Sequence, residues 1–247
     1  MSSNLTLSRE AGSNLIVFVH GMGCVKESFE GAWTTPALQE YSLLAVDFPG
    51  HGNAPLGGHP CTMEALAEYL KDHICAMSYE RLHIVAHSMG AGPALVLSRD
   101  KSLPIVSFIN VEGNLIGADC SMFSRSAAAM DAASFDRAEL DQLLSVHDGS
   151  TDPGVPTWFE WMAKADPKAL HAVSTSLVPW SDRGVFLEWS KAMAGYLYVY
   201  GSASADMPVV AELGDIPTRV LEGSAHFPML DNSEAFFALI AEHVSSV

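Results

Sequence analysis

Six short runs of mostly apolar residues constrain the fold of this chain more than any other sequence feature. The runs are separated by turn residues and by helical patterns, which is how strands of a parallel sheet covered on both faces read in a sequence. The alternation predicts a mostly parallel, doubly wound α/β sheet with right-handed crossovers. The predicted strands occupy residues 14–20, 41–49, 81–88, 103–113, 195–201 and 216–223.

Three segments between or after these strands have the residue spacing of amphipathic helices. Residues 61–77 carry apolar side chains three and four positions apart, and Thr62 is a suitable N-cap for that helix. Residues 89–100 and 232–244 also predict helices. With the strands, these segments complete the α/β pattern.

This alternation is interrupted between residues 114 and 194, where no strand pattern is clear and Pro and Gly break several short helical stretches. The interval predicts an all-helical insertion. The domains expected are therefore a core, residues 1–113 and 195–247, and the insertion, residues 114–194. Its large aromatic residues are expected to form its own core, to face a substrate cleft, or both: Phe123, Trp158, Phe159, Trp161, Trp180, Phe186 and Trp189.

Charge and cysteine content exclude several partners. The formal net charge of −16 disfavours nucleic acids and anionic membrane surfaces, because both are bound through Lys and Arg. No apolar run reaches the roughly 18 residues of a membrane span, and the first residues lack a secretory profile. We expect a cytoplasmic chain without a metal, since the cysteines form no metal-ligand motif. The thiols are expected to be small buried hydrophobes: Cys24, Cys61, Cys75 and Cys120.

Residues 82–92, LHIVAHSMGAG, place a serine between a predicted strand and a predicted helix. A serine hydroxyl attacks a carbonyl carbon only when it is exposed, aligned with a base and opposed by donors for the oxyanion. A sharp strand-to-helix turn, the nucleophile elbow, provides this geometry but requires small residues two positions before and after the serine. Ala86 and Gly90 meet that requirement, so Ser88 is the candidate nucleophile.

The motif FVHGMG, residues 18–23, closes an earlier predicted strand. A backbone amide just after His-Gly at such a strand end can donate to an oxyanion, together with the amide of the residue after the nucleophile. The predicted oxyanion donors are the N–H groups of Met22 and Met89. His20 is expected to organise the turn through hydrogen bonds rather than to act as a base.

The motif GSAHFP, residues 223–228, follows the last predicted strand. A histidine on such a loop can reach a serine on a neighbouring loop, accept its proton and return it to the leaving group. His226 is therefore the candidate general base. His87, next to the candidate nucleophile, is expected to face the other way and to be structural.

Four motifs together resemble those of a known superfamily: His20-Gly21-Met22-Gly23, Asp47-Phe48-Pro49-Gly50-His51-Gly52, Ala86-His87-Ser88-Met89-Gly90 and Gly223-Ser224-Ala225-His226-Phe227. Through them, nearly the whole chain resembles the α/β-hydrolase superfamily. The resemblance implies a structural role for the turn at 47–52 and a helical cap after the sixth strand, at residues 114–194. Serine at position 88 points away from the dehalogenases and epoxide hydrolases of this fold, which use aspartate there.

The third member of a Ser-His-acid triad is a carboxylate that fixes the tautomer of the imidazole. The resemblance implies an aspartate three residues after Gly201, but Ser204 occupies that position. Asp206, two residues later, is one candidate. Glu112 is the other, because it ends an otherwise apolar strand at the edge where ligands bind, and an unpaired carboxylate is costly to bury there. Some families of this fold place their acid at this strand, and we favour Glu112.

The sequence thus predicts a cofactor-independent serine hydrolase that cleaves an ester-like bond of a small molecule, as a monomer or homodimer. Met and Trp residues near the site favour a largely apolar pocket. Basic residues of the insertion leave a carboxylate-bearing substrate open: Arg125, Arg137, Lys164, Lys168, Arg183 and Lys191. Two other functions also stay open, namely carbon–carbon bond hydrolysis or lysis by the same residues, and ligand reception without catalysis.

Overall fold

One sheet of seven strands forms the centre of the molecule. The computed structural model describes residues 5–147 and 149–247. The strands are β1 (Thr6–Arg9), β2 (Asn14–Val19), β3 (Ser42–Val46), β4 (Arg81–His87), β5 (Ile105–Val111), β6 (Tyr196–Gly201) and β7 (Thr218–Leu221). Their order in the sheet is β1-β3-β2-β4-β5-β6-β7. Neighbours from β3 to β7 pair in parallel, whereas β1 pairs with β3 in the antiparallel direction.

The predicted mostly parallel, doubly wound sheet is confirmed. All residues of β3 are buried, and all residues of β4 except Arg81, because helices and loops cover both faces of the sheet. That burial explains why the strands read as continuous apolar runs. The pattern missed β1, since this four-residue edge strand has no fully buried residue and only one large apolar side chain, Leu7.

The helices include the three that the sequence predicts. Thr62 caps α1 as expected, because its side-chain oxygen accepts a hydrogen bond from the N–H of Ala65 at 3.2 Å. Cys75, the last residue of α1, is exposed, which corrects the expectation that all four thiols are buried. The helices are α1 (Met63–Cys75), α2 (Ala91–Leu97), α3 (Ser124–Ala128), α4 (Arg137–Leu144), α5 (Val155–Met162), α6 (Pro167–Asp182), α7 (Val185–Lys191), α8 (Pro208–Glu212), α9 (Pro228–Asp231) and α10 (Ser233–Ser245).

Short 3₁₀ turns connect several of these elements. The turn at Ser88–Gly90 joins β4 to α2, and the turn at Gly117–Cys120 follows β5. Both turns contribute residues to the site described below. The others are Lys26–Trp33, Pro36–Leu38, Ser145–His147 and Ser202–Ser204.

Within the described residues, the segment between β5 and β6 contains the helices α3 to α7 and no strand. Its longest helix, α6, packs against α3 and against the turn at Gly117–Cys120. The strand before this segment is β5, the fifth along the chain, whereas the resemblance implied a sixth strand there. The count is lower by one because the described residues contain a single strand, β1, before β2.

The position of the site follows from the strand order. The chain passes from β2 to β3 on one side of β2 and then crosses to β4 on the other side. Connections from β2 and β4 therefore diverge, and they leave a crevice at the carboxyl edge of the sheet where ligands of open α/β sheets bind. The HGMG loop follows β2 and Ser88 follows β4, so both motifs lie at this crevice.

A buried ion pair fixes the loop between β2 and β3. The carboxylate of Asp47 accepts hydrogen bonds from Lys26 N–H at 2.8 Å, Lys26 Nζ at 2.7 Å and Asn53 N–H at 2.9 Å. Burial by itself lowers the pKa of Lys26, but the hydrogen bonds with Asp47 and Glu27 outweigh it and hold that pKa above its usual value. Asp47 thus ties its turn to the loop after β2.

The substitution Asp47→Asn is expected to reduce the free energy of unfolding by about 3 kcal/mol, because it removes the buried partner of the Lys26 ammonium and leaves only the 41% exposed carboxylate of Glu27 among its described ion-pair partners. Urea denaturation followed by circular dichroism measures this loss. Asp100→Asn is the matched control, since Asp100 pairs with Lys71 at 2.7 Å on the surface, and its effect should be much smaller. Equal effects of the two substitutions would contradict the structural role of Asp47.

Candidate active site

Ser88 lies at the sharp turn between β4 and α2, at the carboxyl edge of the sheet. Its φ of 50° is left-handed, a conformation that costs a non-glycine residue free energy and marks functional turns. A side chain at Gly90 would collide with the backbone carbonyl oxygen of His20, so the turn requires a residue without a Cβ there. Ala86 is completely buried. The glycine at position 90 is therefore a steric requirement of the turn, as the sequence motif predicts.

The loop after β7 brings His226 to Ser88. Nε2 of His226 lies 3.1 Å from Ser88 Oγ, and Nδ1 lies 2.8 Å from Oε2 of Glu112. In the neutral imidazole, Nδ1–H donates to the carboxylate and the serine hydroxyl donates to Nε2. This geometry leaves Nε2 ready to take the hydroxyl proton.

Glu112 directly follows β5, and its side chain is fully buried. Its Oε2 faces His226, and its Oε1 accepts a hydrogen bond from the N–H of Gly201 at 2.8 Å. Both oxygens are therefore paired, as a buried carboxylate requires. Its φ of 45° shows that the backbone turns sharply to direct this side chain. Asp206 is exposed, and among the described residues it makes no hydrogen bond to His226.

Electrostatics around His226 favour its protonated form. Burial lowers the pKa of His226, but the hydrogen bond and the charge of Glu112 raise it above the usual value, and the charges of Asp152 and Asp231 act in the same direction. The imidazolium that forms when His226 accepts a proton is thus stabilised. This is the electrostatic requirement of a general base that must hold a proton during a reaction.

The structure places Met22 and Met89, the two predicted oxyanion donors, at one cavity. Met22 follows β2, Met89 follows Ser88, and both residues line the same cavity as Ser88 and His226. Among the hydrogen bonds of the described residues, none is donated by the N–H of Met22. That amide is therefore free to donate to a ligand.

Helix α5 contacts both loops of the site. The indole Nε1–H of Trp158 donates to the carbonyl oxygen of Met22 at 2.8 Å. The Trp158 ring also lies 5.9 Å, centroid to centroid, from the ring of Phe227, which follows His226 in sequence. A side chain at Gly23, whose φ is 67°, would collide with Met162 at the end of α5. Sequence reasoning did not find this role of Trp158, because no local pattern links it to Met22.

Two other histidines adjoin the site. Nδ1–H of His20 donates to the carbonyl oxygen of Gly21 at 2.8 Å, and its Nε2 accepts from the N–H of Phe48 at 3.0 Å. It thus organises the turn, as expected. The expectation for His87 is wrong in direction: it lines the cavity, and its Nε2–H donates to the carbonyl oxygen of His226 at 2.8 Å. Burial and the neighbouring His226 lower the pKa of His87 well below its usual value, so it stays neutral.

The cavity above Ser88 has a volume of about 220 Å³. Its walls are largely apolar and include Met22, Met89, Phe123, Trp158, Met207 and Phe227. Of the aromatic residues in the helical segment, Trp158 and Phe123 therefore face the cavity, whereas Phe186 is completely buried and Trp180 packs on it at 5.5 Å. These aromatics therefore divide between the wall of the cavity and the interior of the helical segment.

Basic residues of the helical segment lie elsewhere. No Lys or Arg is among the described residues that line the cavity. Arg125 pairs with Asp182 at 2.6 Å, Arg137 donates to the carbonyl oxygen of Met162 at 3.0 Å, and Arg183 stacks over Trp180 at 4.5 Å. The expectation that these residues keep a carboxylate-bearing substrate open therefore finds no support in the cavity.

The part of the chain that the structure describes contains no cluster of three His, Cys, Asp or Glu side chains arranged to hold a metal ion. None of its helices is long and apolar enough to cross a membrane. The polar or ionisable side chains that line the cavity are those of His87, Ser88, Glu112, Asn114, Asp119, Ser121, Ser124, Tyr198 and His226.

Comparison with known proteins agrees with this architecture. A family model described as the alpha/beta hydrolase family matches residues 16–239. The structure of MenH from S. aureus superposes with a TM-score of 0.79, at 13% identity, over 100% of this chain and 99% of that one. The likeness to that structure shows the shared fold.

Curated relatives match at low identity. The pimeloyl-[acyl-carrier protein] methyl ester esterase of Aeromonas hydrophila is 23% identical over 93% of this chain and 94% of its own length. The dihydrolipoyllysine-residue acetyltransferase component of the acetoin cleaving system of Cupriavidus necator is 28% identical over 39% of this chain. The match spans only 25% of that protein's length.

The substitution Trp158→Phe is expected to slow covalent labelling of Ser88 by a fluorophosphonate about tenfold. It keeps a six-membered aromatic ring but removes the five-membered ring whose N–H donates to the Met22 carbonyl, and the loss of one buried hydrogen bond is worth roughly a factor of ten. Labelling rates at several probe concentrations measure the effect. Trp161→Phe, on the same helix but outside the cavity lining, is the control and should leave the rate unchanged. Equal rates in both variants would exclude the positioning role of Trp158.

Proposed function

Because this chain belongs to the alpha/beta hydrolase family, we propose that it is a serine hydrolase that cleaves a carboxylic ester or a similar acyl bond. One observation carries the proposal: a hydroxyl, an imidazole and a buried carboxylate form a continuous hydrogen-bonded chain, with distances of 3.1 and 2.8 Å. This is the arrangement that activates a serine for attack on a carbonyl carbon. Ser88 is the nucleophile, His226 the base and Glu112 the acid that orients it.

In the first half of the reaction, Nε2 of His226 takes the Ser88 proton while Oγ bonds to the carbonyl carbon of the substrate. The carbonyl electron pair moves to its oxygen, which accepts hydrogen bonds from the amides of Met22 and Met89. The oxyanion then collapses, the bond to the leaving alcohol breaks, and the imidazolium returns its proton to that alcohol. An acyl-enzyme on Ser88 results.

In the second half, water replaces the alcohol. His226 takes a proton from the water as its oxygen attacks the acyl carbon, and the same two amides hold the new oxyanion. Collapse breaks the bond to Ser88 Oγ, which regains its proton from the imidazolium. The products are a carboxylic acid and the free enzyme, so no cofactor is consumed.

The cavity supports a small, largely apolar substrate. A space of about 220 Å³ is below the 300–1,000 Å³ of pockets that bury drug-sized ligands, and Met and aromatic side chains form most of its wall. We propose that the helical segment at residues 114–194 is a cap that closes this space, since Phe123 and Trp158 both line it. The name of the Aeromonas hydrophila relative, a methyl ester esterase, agrees with an ester substrate.

The partner we propose is thus a small molecule. A net charge of −16 disfavours nucleic acid, and the four free cysteines favour a chain that works in a reducing cytoplasm. The enzyme would act as a monomer or homodimer, because each chain carries the complete set of groups.

Substitution of the acid provides the sharpest test. We expect Glu112→Gln to lower kcat for p-nitrophenyl acetate by about 10⁴-fold, because Gln no longer stabilises the imidazolium. Asp206→Asn should retain kcat within about twofold, since surface changes away from the site have small effects. The opposite result would assign the acid to Asp206. Fluorophosphonate labelling of Ser88 without turnover of any ester would instead favour a carbon–carbon bond reaction, and ligand binding without labelling would favour a receptor.

The pH dependence of kcat/KM follows from the raised pKa of His226. A base must be neutral, so activity falls as the pH drops through that pKa. Glu112→Gln removes the carboxylate that raises the pKa, and the acid limb of its residual activity should therefore move to lower pH. A profile of kcat/KM from about pH 4 to 9 for both proteins measures the shift. An acid limb at the same pH in both would show that another group controls it.

A further inference from the structure

Asp119 lines the cavity with only one of its carboxylate oxygens engaged by the protein. Oδ2 accepts hydrogen bonds from the N–H groups of Leu115 and Ile116 at 2.8 and 2.9 Å, which fixes the carboxylate at the 3₁₀ turn Gly117–Cys120. Oδ1 accepts no hydrogen bond from the described residues. The side chain is therefore held rigidly by one oxygen while the other can bind a ligand.

Tyr198 lines the same cavity from β6 and is only 1% exposed. The hydrogen bonds of the described residues include none to its hydroxyl, and that oxygen is not among their fully buried unpartnered atoms, so it opens to the cavity. A hydroxyl that opens to a cavity without a bond inside the protein can donate to or accept from a ligand. Burial, together with the charges of Asp119 and Glu112, raises the pKa of Tyr198 well above its usual value, so the hydroxyl stays neutral.

The charges at the cavity wall have one sign. Glu112 and Asp119 are acidic, the described lining residues include no Lys or Arg, and His226 alone becomes cationic during the proposed reaction. Burial raises the pKa of Asp119 to about 6, which still leaves it largely ionised at neutral pH. The carboxylate of Glu112 is already paired with His226 and Gly201. Asp119 is thus the uncompensated charge of the cavity.

We propose that Asp119 and Tyr198 form a subsite that binds a protonated amine of the substrate. The proposal rests on the proposed ester hydrolysis and names its substrate class: small esters with an apolar body and a primary ammonium group. An ammonium has three donors, which match Asp119 Oδ1 and the oxygen of Tyr198 and leave one for water. A charge-assisted hydrogen bond to a carboxylate is stronger than a neutral one.

A carboxylate-bearing substrate is disfavoured by the same groups. Its charge would lie near Asp119 and Glu112 without a cation to pair with, and an unpaired charge is costly in a partly buried site. A neutral hydroxyl could bind the subsite but would not offset the charge of Asp119. The subsite therefore ranks the three groups in the order ammonium, neutral, carboxylate.

Three acetate esters of similar size test this order: those of 4-(aminomethyl)benzyl, 4-ethylbenzyl and 4-carboxybenzyl alcohol. The three meta isomers form a second series. Chromatography of the released alcohol gives kcat/KM for each ester at about pH 7.5, where the amine is protonated. We expect the amine ester to exceed the ethyl ester about tenfold, which corresponds to about 1.4 kcal/mol. The carboxylate ester should be the poorest substrate.

Asp119→Asn keeps the hydrogen-bond acceptor for Leu115 and Ile116 and removes the charge, so the ratio of kcat/KM for the amine ester to that for the ethyl ester should fall about tenfold. Tyr198→Phe should lower the preference a few-fold. Glu212→Gln is the matched control, because Glu212 is an exposed acid whose charge acts on Asp119 but which does not line the cavity. It should leave the preference unchanged.

A binding measurement separates this proposal from the reaction itself. Calorimetry with the Ser88→Ala variant compares 4-(aminomethyl)benzyl alcohol with 4-ethylbenzyl alcohol, and we expect the amine to bind about tenfold more tightly only while Asp119 is present. Failure of all esters, with tighter amine binding retained, would overturn the proposed function but support the subsite. Equal binding of the two alcohols, or equal hydrolysis of the amine and ethyl esters, would overturn the subsite even if Ser88 is catalytic.

Discussion

The buried carboxylate of Glu112 is the interaction on which the geometry of the site depends. Its Oε1 accepts the N–H of Gly201 at the end of β6, and its Oε2 accepts Nδ1–H of His226 after β7. An ionised carboxylate is stable in a buried place only when its oxygens are paired, so the two contacts must form together. The ends of β5, β6 and β7 are thereby held in the one arrangement that directs Nε2 toward Ser88.

The helical segment between β5 and β6 completes the site from above. Its helix α5 holds the loop after β2 through the Trp158 indole and packs beside the loop after β7 through Phe227. The turn before α3 presents Asp119 to the same cavity. Apolar walls, one free carboxylate oxygen and the hydroxyl of Tyr198 therefore line the cavity of a single serine, and this combination gives the proposed preference for an apolar ester with an ammonium group.

Much of the fold could be predicted from the sequence because its signals are local. Continuous apolar runs predict six of the seven strands, and β1 was missed because an edge strand with half-buried residues has no such run. The site was predicted in part. Ser88 and His226 have clear local motifs, and the structure brings their side chains together. The side chain of His87 was expected to point away from the site, because successive side chains of a strand alternate between its two faces. The loop that carries His226 covers the end of β4, however, and the His87 side chain contacts that loop.

By itself, the sequence determined six of the seven strands, the helices α1, α2 and α10 and the small residues at the turn of Ser88, since each follows from burial or sterics within a few positions. Only the tertiary structure decided that Glu112 rather than the exposed Asp206 contacts His226. It also decided that the basic residues of the helical segment lie away from the cavity, and that Asp119 and Tyr198 line it. The physical reason is that these contacts join residues far apart in the chain, and their meeting depends on strand order and loop path rather than on local spacing.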